Sequence, residues 1–413
     1  MTCRRSDIVD VAHSGVYHCI SRCVRRESLL SLPRRRAWLL SRLGVLTHAA
    51  AIDVIAFSAM ENHLHLLLRT HPEVVARWSD REVALRKSLL LGTKTKNRKK
   101  KAKSKSEVLV ETPVDTPREA AARLEMQISM ILSSPERVRR ARADLSSLGF
   151  FHKLLKEPCA RMWNREDEVV GGFWAPRFKS PKVLDQRAIE TVAGYIELNE
   201  VYACAARSLQ SSGWSSGSLQ WSRLCEAILH ACKTAIHANL DPREQLLQLR
   251  WEPAFSCNMG SLEGAGESES ESEVQTHPQT QAQPPTESIK NITQPSLLAH
   301  MHRVDQTGRR QRPDKSGHIT TSEPSAVNAA ITRGFAIFSR ESPFVRRALK
   351  RVAQWWETTS ESLTAEMGGM SLNEVAWNSL RKGHGSCYGS AASVALEVTR
   401  RGQRWMVPVW SSA

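Results

Sequence analysis

Apolar and polar positions recur along this chain with spacings that divide it into elements. Residues 16–23 (VYHCISRC) alternate and predict a strand. In residues 34–51, Trp38, Leu39, Leu43 and Leu46 share one broad helical face. Residues 52–59 and 63–69 predict two short strands around a turn at Glu61-Asn62, and residues 73–91 predict a helix entered after Pro72. Helical spacing returns in residues 118–132 and 136–164. Residues 171–183 (GGFWAPRFKSPKV) form a loop or hairpin with an extended arm, and residues 185–207 a strong helix with Asp185 as N-cap. A Ser/Gly linker at 211–218 then leads to a helix over 219–239.

Further on the pattern fades. Residues 260–325 lose apolar content, carry an acidic run (EGAGESESESE) and a Gln/Pro/Thr stretch, and are expected to be disordered. Order is expected again from Ala326, with a helix over 345–358 and a helix followed by a short strand over 391–410. Four units follow: 1–213 with a basic insertion at about 92–117, a helical extension at 214–259, the disordered linker at 260–325, and a small C-terminal module at 326–413.

Charge changes the picture more than composition does. The 413 residues carry a formal net charge of +16, which favours a polyanionic partner, nucleic acid or an anionic membrane surface. Eight Lys or Arg fall between Lys94 and Lys105 without an acid, yet the rest of the chain would still be at +8. That run fits a solvated linker or a phosphate-binding arm. The nine cysteines are odd in number and form no CxxC pair, which argues against a disulfide framework or a zinc ribbon and fits a reducing cytoplasm. The N-terminus lacks the apolar run of a signal peptide, and no apolar window is long enough to span a bilayer.

Three segments carry candidate chemistry. In MENHLHLLL, His63 and His65 are two apart on a strand and project from one face, where both can meet one divalent ion; half-buried strand histidines have the same spacing. In YIELN, Tyr195 and Asn199 are four apart on one helical face. A tyrosine there serves either as core or as a nucleophile toward a metal-polarised phosphodiester. In FWAPRFKS, Arg177 and Lys179 beside Trp174 and Phe178 combine phosphate-binding cations with rings on which bases stack, or form a hairpin with an aromatic core. The remaining clusters, His300-Met301-His302 in the expected disordered stretch and RKGHGSCYGS around Cys387 and Tyr388, match no metal site; the second fits a Gly-rich turn.

Taken in order, VYHCISRCVRRE, MENHLHLLL, FWAPRFKS and YIELNEVYA resemble the REP-associated tyrosine transposases, within the single-tyrosine HUH transposases of insertion-sequence type in bacteria. The resemblance covers roughly residues 14–207. It implies an α/β (α+β) fold: a ferredoxin-like antiparallel sheet with helices on one face, to which helical and disordered C-terminal extensions are added. It implies His63, His65 and Asn199 as ligands of Mg²⁺ or Mn²⁺, Tyr195 as the nucleophile, and Arg177 within a DNA-contacting stretch. The implied activity is cleavage and rejoining of single-stranded hairpin DNA through a 5′-phosphotyrosine, in a cytoplasmic, nucleoid-associated protein. No nucleotide cofactor is needed for such chemistry, and the chain has no GxxxxGK[ST]. Two departures stand out: Glu61 where the family usually has Pro, and Asn199-Glu200-Val201-Tyr202 where Asn-Pro-Val-Arg is common. Without that Pro the helix is free to lengthen. The alternatives are a domesticated, non-catalytic DNA- or RNA-binding protein of the same fold, and a phosphodiesterase that uses water and releases both products.

Overall fold

Three strands frame the molecule: β1 (Gly15–Arg22), β2 (Ile52–Ala59) and β3 (His63–Thr70). β2 and β3 form an antiparallel hairpin around Glu61-Asn62, with a register shift between Val54 and Ala56, and β1 pairs antiparallel with β3 so that Ile20 faces His65. The computed structural model describes residues 8–92, 116–238, 241–262, 295–312, 315–337, 343–367 and 387–401. The basic run at 94–105, the acidic run after Leu262 and the C-terminal residues 402–413 lie outside them.

Two short strands complete the sheet: β4 (Lys182–Val183), antiparallel to β1, and β5 (Cys387–Tyr388), parallel to β4. The order is β2-β3-β1-β4-β5, so the sheet is mixed. The turn expected around Cys387 and Tyr388 is instead this edge strand. Its carbonyl at Tyr388 accepts a hydrogen bond of 2.9 Å from the Leu184 N–H.

Alternation along the strands sends side chains to two cores. Tyr17, Cys19, Val54, Phe57, Leu64, Leu66 and Leu68 enter one, with Leu39, Leu43 and Leu46 of α1 (Pro33–Ala49) and Phe151, Leu155 and Trp163 of α6 (Leu148–Glu166). Val16, Ala56, Leu67 and Val183 enter the other, with Ile189, Val192 and Ile196 of α7 (Gln186–Glu197). Each buried Leu, Ile or Val contributes about 1.5–3 kcal/mol, so both faces carry stability. Helices therefore cover both faces of the sheet, which corrects the expectation of one helical face. The second core also takes Leu224 and Ile228 of α9 (Ser216–Ala238), Val304 of α11 (Leu297–Arg309), Val327 of α12 (Ala326–Ile337) and Trp356 of α13 (Pro343–Met367). These helices are thus part of the wall behind the sheet.

Local chemistry explains where the expected helices were misplaced. The helix expected over 73–91 is two, α2 (Pro72–Arg77) and α3 (Asp80–Leu91), because the Ser79 hydroxyl caps the second by accepting from the Glu82 N–H. The stretch over 136–164 divides likewise into α5 (Pro135–Leu145) and α6, where Ser147 accepts from Phe150 N; α4 (Pro117–Leu132) precedes them. Asp185 does cap α7, accepting from the Ala188 N–H at 2.9 Å. The 211–218 stretch is no free linker: Trp214 O accepts from Ala59 N and Ser216 Oγ from Phe57 N, which covers the outer edge of β2. Within the segment expected to be disordered, α11 is capped by Ser296 and buried along much of its length, with Met301 at its centre. Its apolar residues are sparse in sequence but fall on one face.

Candidate active site

β3 presents His63 and His65 on the same face of the sheet, with ring centroids 4.8 Å apart. α7 crosses that face and brings the Tyr195 ring edge-on to His65 at 5.7 Å. The fold therefore gathers the histidine pair and the tyrosine that lie 130 residues apart in sequence (65 and 195). His65 and Tyr195 are nearly buried, at 3% and 9% exposure, while His63 is half-buried and forms the more open side.

Sequence reasoning missed two members. His18 of β1 stacks on His65 with centroids 5.1 Å apart, and its Nε2 lies 2.9 Å from His65 Nδ1. The other ring nitrogen, Nδ1, lies 3.2 Å from the Tyr388 hydroxyl of β5. His18 was within reach of inspection, since it is two residues before Ile20, the strand partner of His65, and so shares its face. Tyr388 was not, because nothing local marks a two-residue strand. For His65 to offer its Nε2 lone pair to an ion, its Nδ1–H must donate to His18 Nε2, and His18 Nδ1–H then donates to the Tyr388 oxygen. The line of groups thus holds one tautomer and one ring orientation.

Burial sets the charge state. It lowers His18 to about 3; burial, then Arg22 and Lys315, lowers His63 to about 4; and burial, with His63 and His18 beside it, holds His65 well below the usual imidazole range. All three rings are uncharged at neutral pH, the state in which imidazole ligates metals.

Asn199 begins α8 (Asn199–Tyr202), the single turn that follows α7 after Leu198. Its side chain is buried, and Nδ2 has no hydrogen-bond partner among the described residues. The orphaned amide is a group that a ligand would satisfy, and exchanging its O and N would present the oxygen instead. Uncharged imidazoles and an amide oxygen are donor types that a divalent ion can take together with water and phosphate oxygens. The helix expected to run to Arg207 ends at Tyr202, and Cys204 has a positive φ of 56°. Tyr202 donates its hydroxyl to Thr307 O at 3.3 Å, inside the core. Lys315 Nζ lies 5.3 Å from the centroids of both the Tyr195 and the Tyr202 rings. This half-buried cation comes from the segment expected to be disordered.

The FWAPRFKS segment is divided. Arg177 and Lys179 are exposed, but Trp174 and Phe178 are buried, and Phe178 stacks on His152 at 3.8 Å. The two rings are core, which corrects their expected role in stacking bases; the backbone pairs this segment with Ile20 of β1 and with Cys23 just after it.

Among the described residues no helix is long and apolar enough to cross a membrane. Compared with protein-family models, with curated proteins and with solved structures, the chain matches none.

Proposed function

We propose that this protein is a metal-dependent, single-tyrosine DNA strand transferase of the HUH type, similar to the REP-associated tyrosine transposases. The observation that carries the reading is the meeting of Tyr195 with the His63–His65 pair on one sheet face, at 5.7 Å between the Tyr195 and His65 rings. The order β4-β1-β3-β2 within the sheet supports a ferredoxin-like framework beneath it.

His63, His65 and Asn199 would hold Mg²⁺ or Mn²⁺, which supplies polarisation of a scissile phosphate. Tyr195 Oη then attacks phosphorus, the P–O3′ bond breaks, the phenol proton is lost, and the departing 3′ oxygen takes a proton. The 5′ phosphate remains joined to Tyr195, and the reverse attack by a 3′-hydroxyl rejoins the strand. Lys315 stands where it can neutralise negative charge near the phenol, and exposed Arg177 and Lys179 can hold backbone phosphates. Single-stranded, hairpin-forming DNA is the substrate this reading assigns.

The burial of Tyr195, at 9% exposure, favours a second reading: a DNA- or RNA-binding protein of the same fold without strand transfer. One experiment separates them. Incubation with labelled hairpin DNA and Mn²⁺, followed by a denaturing gel, is expected to show a covalent adduct in wild type and Tyr202→Phe but none in Tyr195→Phe or the His63→Ala/His65→Ala double variant. An adduct retained in Tyr195→Phe overturns the assignment, and no adduct in wild type with any hairpin that it binds tightly favours the binding protein.

A further inference from the structure

At the opposite end of the sheet, three buried side chains of different chemistry converge. Asp53 comes from the start of β2, His71 from the residue after β3, and Cys257 from the chain that follows α10 (Pro242–Gln248). One ligand atom from each, a carboxylate oxygen, an imidazole nitrogen and the thiol sulfur, lies within 4.8 Å of the other two. Among the described residues this is the group whose acidic, imidazole and thiol atoms come together in that way.

The backbone fixes all three positions. His71 N–H donates to Ala51 O at 3.0 Å, and Val54 and Phe255 exchange a pair of backbone hydrogen bonds of 2.8 and 3.0 Å. Cys257 N–H donates to Asp53 Oδ1 at 2.8 Å, which leaves Oδ2 facing His71 Nε2, also at 2.8 Å. On its far side His71 Nδ1 meets Ser14 Oγ at 3.5 Å and Glu73 Oε1 at 3.9 Å. The Ser14 hydroxyl is the group in hydrogen-bond reach of His71 Nδ1, and a partner on the second ring nitrogen orients metal-binding imidazoles.

We infer that Asp53, His71 and Cys257 bind a zinc ion that staples the β2–β3 end of the sheet to the chain after α10. A mixed thiolate, imidazole and carboxylate set suits zinc and disfavours magnesium or calcium, which take oxygen ligands. Bonds of about 2.0–2.3 Å separate tetrahedral ligand atoms by about 3.3–3.8 Å, so the Asp53–His71 pair opens by about half an ångström or slightly more when the ion enters. Water takes the fourth position. Binding releases the Cys257 thiol proton, and the proton on a neutral His71 moves from Nε2 to Nδ1, toward Ser14 and Glu73. The ion with its thiolate and carboxylate is then neutral, and the Arg69 charge interacts with Asp53 and Cys257. His65 and His71 are six residues apart along β3 and its continuation, about 20 Å, so this ion is not the one assigned to the histidine pair.

The test uses the full-length protein. Chain expressed in zinc-supplemented medium and desalted is expected to hold about one equivalent of zinc per chain by elemental analysis. The metal should fall to background in Cys257→Ala and in His71→Ala and persist in the His63→Ala/His65→Ala double variant. Replacing zinc by Co²⁺ in wild type should produce a thiolate-to-cobalt charge-transfer band, which requires no variant to fold. Wild type without retained zinc and without that band overturns the site. So does a band that persists in a folded Cys257→Ala, or zinc that is lost in the His63/His65 double variant.

Discussion

Tyr388 matters through a single oxygen. Its hydroxyl closes the line that passes through His18 to His65, and every group in it is buried. Tyr388→Phe keeps the ring but orphans His18 Nδ1, and a buried unsatisfied polar atom costs about 1–3 kcal/mol. Urea denaturation is expected to show a loss of that size with an unchanged m-value; a loss below a few tenths would mean that the hydroxyl holds nothing. Residue types chosen from sequence fare unevenly at this scale. His63, His65 and Tyr195 do meet, because strand alternation and helical spacing are local rules. For Trp174 and Phe178 chemical kind alone does not decide, and burial does: both rings are nearly buried, and Phe178 already has one face on His152.

At the scale of elements, the loop before α12 is wedged against the turn that carries Asn199. A Cβ on Gly317 would lie 2.0 Å from the Val201 carbonyl oxygen, a backbone atom that cannot swing aside. Gly317→Ala should therefore displace the segment that holds Lys315 over Tyr195, destabilise the protein by about 1–3 kcal/mol and expose Tyr195. Loss of thermal stability together with faster chemical modification of Tyr195 is the expected pair of results; a melting temperature equal to wild type would contradict the wedge. The elements near the N-terminus were legible since each carries its own period and its own punctuation, as with Asp185 and the Glu61-Asn62 turn. α11 and β5 were not. The first has a polar average that conceals one buried face, and the second consists of Cys387 and Tyr388 alone, held by β4 rather than by any propensity of its own.

For the whole molecule, charge acts at two places. Around Glu397 of α14 (Ala391–Arg400), burial alone would raise the carboxyl, but Arg400, Arg401 and Lys182 hold it down to about 2. Lys182 Nζ, from β4, is 3.1 Å away, so this cluster fastens the C-terminal helix to the sheet. A carboxyl lowered from an ordinary 4.5 to about 2 stabilises the fold fully above pH 4.5 and loses that contribution as pH falls through about 2. Glu397→Gln is expected to cost about 3–5 kcal/mol at pH 7, since three cations lose their counter-charge, and thermal melts should show the gap from wild type narrowing below pH 4.5. A gap constant down to pH 2 would refute the cluster's role. On the proposed reading, the run at Lys94–Lys105 acts on a DNA partner instead. Deleting its eight cations should weaken binding to all DNAs alike and reduce the salt dependence of binding; altered preference between hairpins at an unchanged salt slope would assign it a different task.

The pairing of β4 with β5 has a consequence in time. Lys182 and Cys387 are neighbours in the sheet, and His18 touches Tyr388 across 370 positions of sequence. During synthesis the chain emerges from its N-terminus, so β1, the β2–β3 hairpin and α7 can leave the ribosome while β5 is still untranslated. Until then β4 has a bare edge, and His65 has its neighbour but not the hydroxyl that steadies that neighbour. A nascent chain can thus assemble the histidine pair and Tyr195 early, yet the support behind them arrives only after 193 further residues, from 195 to 388, have been added. Contacts of such long range form slowly, and they couple completion of the candidate site to the arrival of β5.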